Sequence, residues 1–200
     1  MKKVILLFTT SLIIMSCNSQ SIDLELLKFD QQIPESILNI KKIKEDTDVT
    51  YGLLSYRTDE LQNFKFGDVT FSKYSVPNGY NDGYSEIYVH VDNYKENKYL
   101  GFSINIANEK EGIALLNYLK KTYGTPEESH TGLVNGKALV WKVKEQWVLL
   151  LQNTENTRED KKYVTTEVTI VKQGLRAYNS ENMEVLTVLG SFSAAHPKKN

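Results

Sequence analysis

The chain has 200 residues, with 24 basic and 25 acidic side chains and a formal net charge of −1. That balance excludes the basic excess that nucleic-acid binding needs, and a single cysteine, Cys17, excludes an intrachain disulfide. Hydrophobic residues at 40% are enough for a real core, and the length fits one domain or two small ones.

Residues 1–20 stand apart from the rest. Lys2 and Lys3 form a basic head, and residues 4–15 are an apolar run broken only by Thr9, Thr10 and Ser11. That is the layout of a secretory signal, and the run is too short to span a bilayer. Ser16 and Cys17 follow, then the polar Asn18, Ser19 and Gln20. This stretch resembles the bacterial lipoprotein signal, in which a small residue precedes an invariant cysteine. The resemblance implies removal of residues 1–16, a diacylglyceryl thioether on Cys17 and an acyl group on its new amino terminus. Two or more acyl chains hold stably in a bilayer, at roughly 0.8 kcal/mol per buried methylene. Asn18, not aspartate, follows the cysteine, which in that family favours the outer membrane. No acidic run follows Cys17, so the expected domain faces the periplasm. Residues 17–21 would be the lipidated cysteine and a short tether, and the membrane the partner it reaches.

Next come residues 22–29, readable as a short helix, and residues 34–44, where Pro34 suits a first turn and Ile33, Ile37 and Ile40 recur at helical spacing. Strands are expected at 51–57, 64–66 and 69–76, with Gly67-Asp68 as a turn. Residues 77–83 form a loop by their turn residues.

Residues 85–92 and 99–106 alternate cleanly. Pairing them with Asp92 opposite Tyr99 sets Val91 against Leu100, Val89 against Phe102 and Ile87 against Ile104, so every apolar residue points one way. Gly101 then falls opposite His90, leaving room for the ring. Residues 108–123 are the main helix, with Asn108 and Glu111 as a capping-box pair, an apolar stripe of Ile113, Leu116, Leu119 and Tyr123 widened by Leu115, and Gly124 as its C-terminal cap. Asn135-Gly136 is a hairpin turn joining 129–134 to 137–144. Residues 147–152 are apolar enough to be covered on both faces. Residues 153–162 read as a polar loop, and 163–172 as another alternating strand. A last strand is expected at 184–189.

The expected fold class is α+β, a mostly antiparallel sheet packed against the helix at about 108–123, with a short N-terminal helix. Residues 22–178 would form one domain, and 179–200 a loose tail. The three histidines, His90, His130 and His196, have no zinc-like spacing, and no phosphate loop, nucleophile elbow or dinucleotide motif is present. No metal or cofactor is expected. The one constellation of interest is the outward stripe Glu86, Tyr88, His90, with Asn105 opposite Glu86 and Ser103 opposite Tyr88. A carboxylate, phenol, imidazole, amide and hydroxyl on one face suit polar ligand recognition or acid–base work; the plain alternative is a solvent-facing sheet surface with a solvated His90. Six tyrosines between Tyr74 and Tyr99 add a possible interaction surface. The functional expectation is a lipid-anchored, non-catalytic binding or interaction module, with a protein partner in the envelope as one option. The alternative is a small periplasmic hydrolase using the Glu86/Tyr88/His90 face.

Overall fold

Period-two alternation makes strands the main regular element among the described residues. In a computed structural model, which describes residues 21–76, 84–132, 136–158 and 161–199 (backbone alone over 153–158 and 161–162), these are β1 (Ile22–Asp23), β2 (Lys44–Thr47), β3 (Leu54–Thr58), β4 (Phe64–Phe66), β5 (Val69–Thr70), β6 (Glu86–Val91), β7 (Tyr99–Ile106), β8 (Glu127–Ser129), β9 (Lys137–Val143), β10 (Gln146–Arg158) and β11 (Lys161–Lys172). The helices are α1 (Glu35–Leu38), α2 (Glu109–Tyr123) and α3 (Val188–Ala195). The signal-like segment with Cys17, the loop 77–83 and Asn135 of the expected hairpin turn lie outside the described residues.

Eight strands form one sheet in the order β2-β3-β6-β7-β11-β10-β9-β8, every pairing antiparallel. It is two four-stranded runs, one before α2 and one after, that meet edge to edge at β7 and β11. The small sheet β1-β4-β5 and α2 cover one face. There Phe66 packs against Phe102 and Tyr118 at centroid distances of 5.8 and 5.9 Å, within a core holding Ile87, Val89, Ile104, Leu115, Leu119, Val148 and Val168. The fold is α+β with one main helix on an antiparallel sheet, as the patterning suggests.

Local departures have local causes. The β6–β7 register runs as expected from Glu86↔Asn105 to His90↔Gly101, then a bulge sets Val91 opposite Tyr99 instead of Leu100. Tyr99 thereby joins Val91 in the main core cluster, while Leu100, also buried, lies outside it. Gly101 makes room for β11 rather than for the histidine ring: its φ is +141°, and a Cβ there would sit 2.2 Å from the Ile170 carbonyl oxygen. The buried side of α2 is Gly112, Leu115, Leu116 and Leu119, while Ile113 is exposed. A Cβ on Gly112 would come within 2.3 Å of Thr166 Oγ1, so the missing side chain sets how close the helix lies to β11. Asn108 caps α2 by accepting from the Lys110 N–H. Glu111 does not reach back to the cap backbone; its carboxylate accepts from the Asn108 side chain and from Ser72.

Near the N-terminus, β1 and a 3₁₀ turn at Leu24–Leu26 replace the first expected helix. The second stops after one turn, at Leu38, before Lys42 takes a φ of +65° and β2 begins. The expected strands at 51–57 and 69–76 shorten to β3 and β5. Residues 153–158 and 161–162 continue β10 and β11 as strand backbone where a loop was expected.

The largest difference is at the C-terminus. Instead of a strand and a loose tail, residues 175–199 fold back over the second face of the sheet. Thr187 caps α3 by accepting from the Gly190 N–H, and Val188 and Phe192 bury against Val140, Leu149 and Val171. Asn179, with φ +50°, accepts from the Leu54 N–H and donates to the Val91 carbonyl, 2.9 Å each, pinning the segment to the ends of β3 and β6. At the far margin, Pro197 and Lys199 hydrogen-bond His130 and Glu128 beside β8.

Candidate functional site

The second face changes character across the sheet. Register places Ser55, His90, Gly101, Val171 and Trp147 in one cross-strand row, and Arg57, Tyr88, Ser103, Thr169 and Leu149 in the next. A third row runs Glu86, Asn105, Glu167 and Leu151. Side chains in such rows stand on one side of the sheet. Polar residues come from β3, β6 and β7, apolar ones from β10, and β11 mixes the two.

α3 covers the apolar half. Over the polar half, a cavity of about 430 Å³ opens between the sheet, the loop at 48–51 and α3. Its floor includes Glu86, Tyr88, Ser103 and Asn105, and Asp48, Tyr51, Phe192 and His196 also line it. The volume falls within the range of small-molecule sites.

Arg57 organises one wall. Its Nε donates to Glu86 Oε2 at 2.6 Å, one terminal nitrogen to Asp46 at 3.2 Å and the other to the Tyr84 hydroxyl at 3.1 Å. Burial disfavours its charge, but the bond and charge of Glu86, with Tyr88 and the bond to Asp46, together outweigh that and drive the guanidinium pKa further up. Arg57 also lies over the Tyr88 ring, 5.5 Å from its centroid. Burial, reinforced by Glu86, holds the Tyr88 phenol protonated well above its ordinary range. Asn105 donates to the Tyr84 carbonyl at 3.0 Å, and its Oδ1 is buried without a hydrogen-bond partner.

His90 is not solvated. It is 0% exposed, in the row beside Tyr88 and Ser103, with Nδ1 2.8 Å from Ser55 Oγ and Nε2 2.9 Å from Ser103 Oγ. Ser55 donates its one hydroxyl hydrogen to the Leu53 carbonyl, so Nδ1 must carry the proton given to Ser55. The neutral ring then accepts at Nε2 from Ser103, and Ser103 accepts from Thr169, 2.9 Å away. The chain Thr169→Ser103→His90→Ser55→Leu53 runs one way and ends on a carbonyl. Burial lowers the His90 pKa to about 3.

Glu86, Tyr88, Ser103 and Asn105 therefore share a cavity, and His90, outside its lining, holds Ser103 from the neighbouring row. Of the tyrosine-rich stretch, Tyr94 and Tyr99 are structural: Tyr94 donates to the Asp46 carbonyl, and Tyr99 stacks on Phe29 at 5.6 Å. Arg57, Glu167 and Thr169 have no counterpart in the sequence reading. Their alternation was visible, but only the strand order puts β3 and β11 beside the β6–β7 hairpin. Among the described residues, no three His, Cys, Asp or Glu side chains gather as a metal site, and no helix is long and apolar enough to cross a membrane.

The chain matches no protein-family model, no curated protein and no solved structure.

Proposed function

We propose that the chain is a lipid-anchored envelope protein whose C-terminal helix roofs a binding cavity for a small organic ligand. The observation that supports the binding role is the concavity over the polar rows: a polar floor, an apolar wall and a roof from a distant segment suit a ligand better than a plain sheet surface would. The anchor is supported by the lipoprotein-like sequence around Cys17. Labelling growing cells with a radioactive fatty acid tests it. Label is expected on the native chain and absent from Cys17→Ala; label on that variant, or none on the native chain, overturns the anchor.

One arrangement favours a hydrolase. Ser103, His90 and Ser55 follow the order nucleophile, base and orienting group. The chemistry of that base argues against turnover. A general base works best with a pKa near the operating pH, whereas His90 sits near 3. Its orienting partner is a hydroxyl, which stabilises an imidazolium far less than a carboxylate does. A fluorophosphonate probe separates the readings. No labelling is expected; labelling of Ser103 that is lost in His90→Gln establishes the hydrolase instead.

A further inference from the structure

We infer that the folded domain lies on the anionic surface of the bilayer that holds Cys17, docked through Leu26, Lys28 and the β9–β10 turn. This rests on the lipid anchor proposed above. Beyond the cysteine the chain is soon fixed to the domain. Ile22 pairs with Phe64, and Asp23 accepts from the Gly67 N–H and pairs with Lys65 at 2.9 Å. Even fully extended, residues 17–22 span no more than ~18 Å, whereas a domain of this length is about 40 Å across. The side that carries Ile22 must therefore face the membrane.

What that side offers suits a membrane surface. Leu24 is buried, and Glu25 is held by the Tyr118 hydroxyl at 2.7 Å. Leu26, between them and Leu27, is 74% exposed. A lone exposed leucine needs no explanation, but this one adjoins an open groove lined by Leu27, Phe29 and Val143 together with Lys28 and Lys144. Of the other charges there, Lys172 is bound to Asp30 at 2.6 Å, which leaves Glu145. Lys28 and Lys144 are exposed and make no ion pair among the described residues. This local basic excess occurs in a chain whose net charge is −1. Apolar side chains with unpaired lysines beside them match the acyl and phosphate layers of an anionic bilayer.

The docking also orients the cavity. Asp30 and Gln31 hydrogen-bond both backbone groups of Tyr99, at the near end of β7. Asn105, on the cavity floor, stands about 20 Å further along that strand. The cavity's ligand therefore arrives from water rather than from the bilayer.

Spin labels test this, because Cys17 is the one cysteine and an anchored chain has no free thiol. Leu26→Cys and Lys110→Cys, the latter in the first turn of α2, are purified from membranes and labelled with a nitroxide. Both are reconstituted in vesicles of phosphatidylethanolamine and phosphatidylglycerol. A side chain at the headgroup boundary meets oxygen and little aqueous chelate, so the ratio of oxygen to nickel-chelate collisions is expected to be about fivefold higher, or more, at position 26 than at 110. Adding Lys28→Glu and Lys144→Glu to the position-26 chain should lower the ratio; an unchanged ratio overturns the anionic preference. Equal ratios at the two positions, or a higher one at 110, overturn the docking surface and leave the anchor standing. Label taken up by the native chain shows a free Cys17 and overturns both.

Discussion

His90 shows how a residue that invites a catalytic role can serve a structural one. Both ring nitrogens are committed, and the hydrogen-bond chain through it ends on a carbonyl that can pass no proton on. What it does is hold Ser55 and Ser103 in place and link β3 to β6 and β7. This has a pH consequence. The unfolded chain protonates this imidazole near pH 6.5, while the folded chain holds it neutral to about 3. Between those values the unfolded state binds the extra proton, so stability is lost as pH falls, by ~1.4 kcal/mol per pH unit at most. Asp48 works the other way. Burial raises its carboxyl pKa above the ordinary value, so protonation of the folded state offsets part of the loss at the acid end. Urea denaturation at several pH values between 5 and 6.5 should show the slope, and His90→Gln should flatten it. An equal slope in that variant would mean that another group titrates.

At the scale of elements, the hairpin β6–β7 and the helix α2 were legible because their signals are local. Alternation and capping need only neighbouring residues. The phase of α2 was misread because glycine carries no hydrophobic signal: Gly112, rather than Ile113, faces the sheet. The substitution Gly112→Ala separates the two influences. Helix propensity alone would stabilise the chain by about 1 kcal/mol, but the clash with Thr166 Oγ1 opposes it. Net destabilisation of about 2 kcal/mol is expected in denaturant melts. Adding Thr166→Ala should recover part of it, short of the full amount because Gln152 loses the hydroxyl it donates to. A stabilised single variant would show that the helix stands further from β11 than described. Gly101→Ala should be costlier still, because the opposing atom is backbone and the φ is one that L-residues resist.

For the whole molecule, the decisive arrangement is non-local. Residues 54–58, 86–91, 99–106 and 165–169 build one floor only because β7 and β11 meet in the middle of the sheet. Nothing in the local pattern announces that meeting, and so Arg57, Glu167 and Thr169 escaped notice. The roof was missed for a related reason. Val188 and Phe192 are four residues apart, as a helix face requires, with Thr187 as cap; yet a short apolar stretch near a chain end also fits a final strand. Phe192→Ala tests the roof's contribution. Removing this buried ring should cost about 3–5 kcal/mol and lower Tm by roughly 10 °C in a domain of this size. An unchanged Tm would mean that α3 does not pack on the sheet.

The residues beside β8 carry one more consequence. An outermost strand offers a row of unsatisfied backbone groups on which a second copy can grow. Here Pro197 and Lys199 already occupy backbone positions beside Glu128 and His130, while the opposite margin, β2, presents Lys44, Glu45 and Asp46. One border of the eight-stranded sheet is partly sealed by residues 197–199 and the other is studded with charge, which hinders crowded copies from stacking into fibres along either.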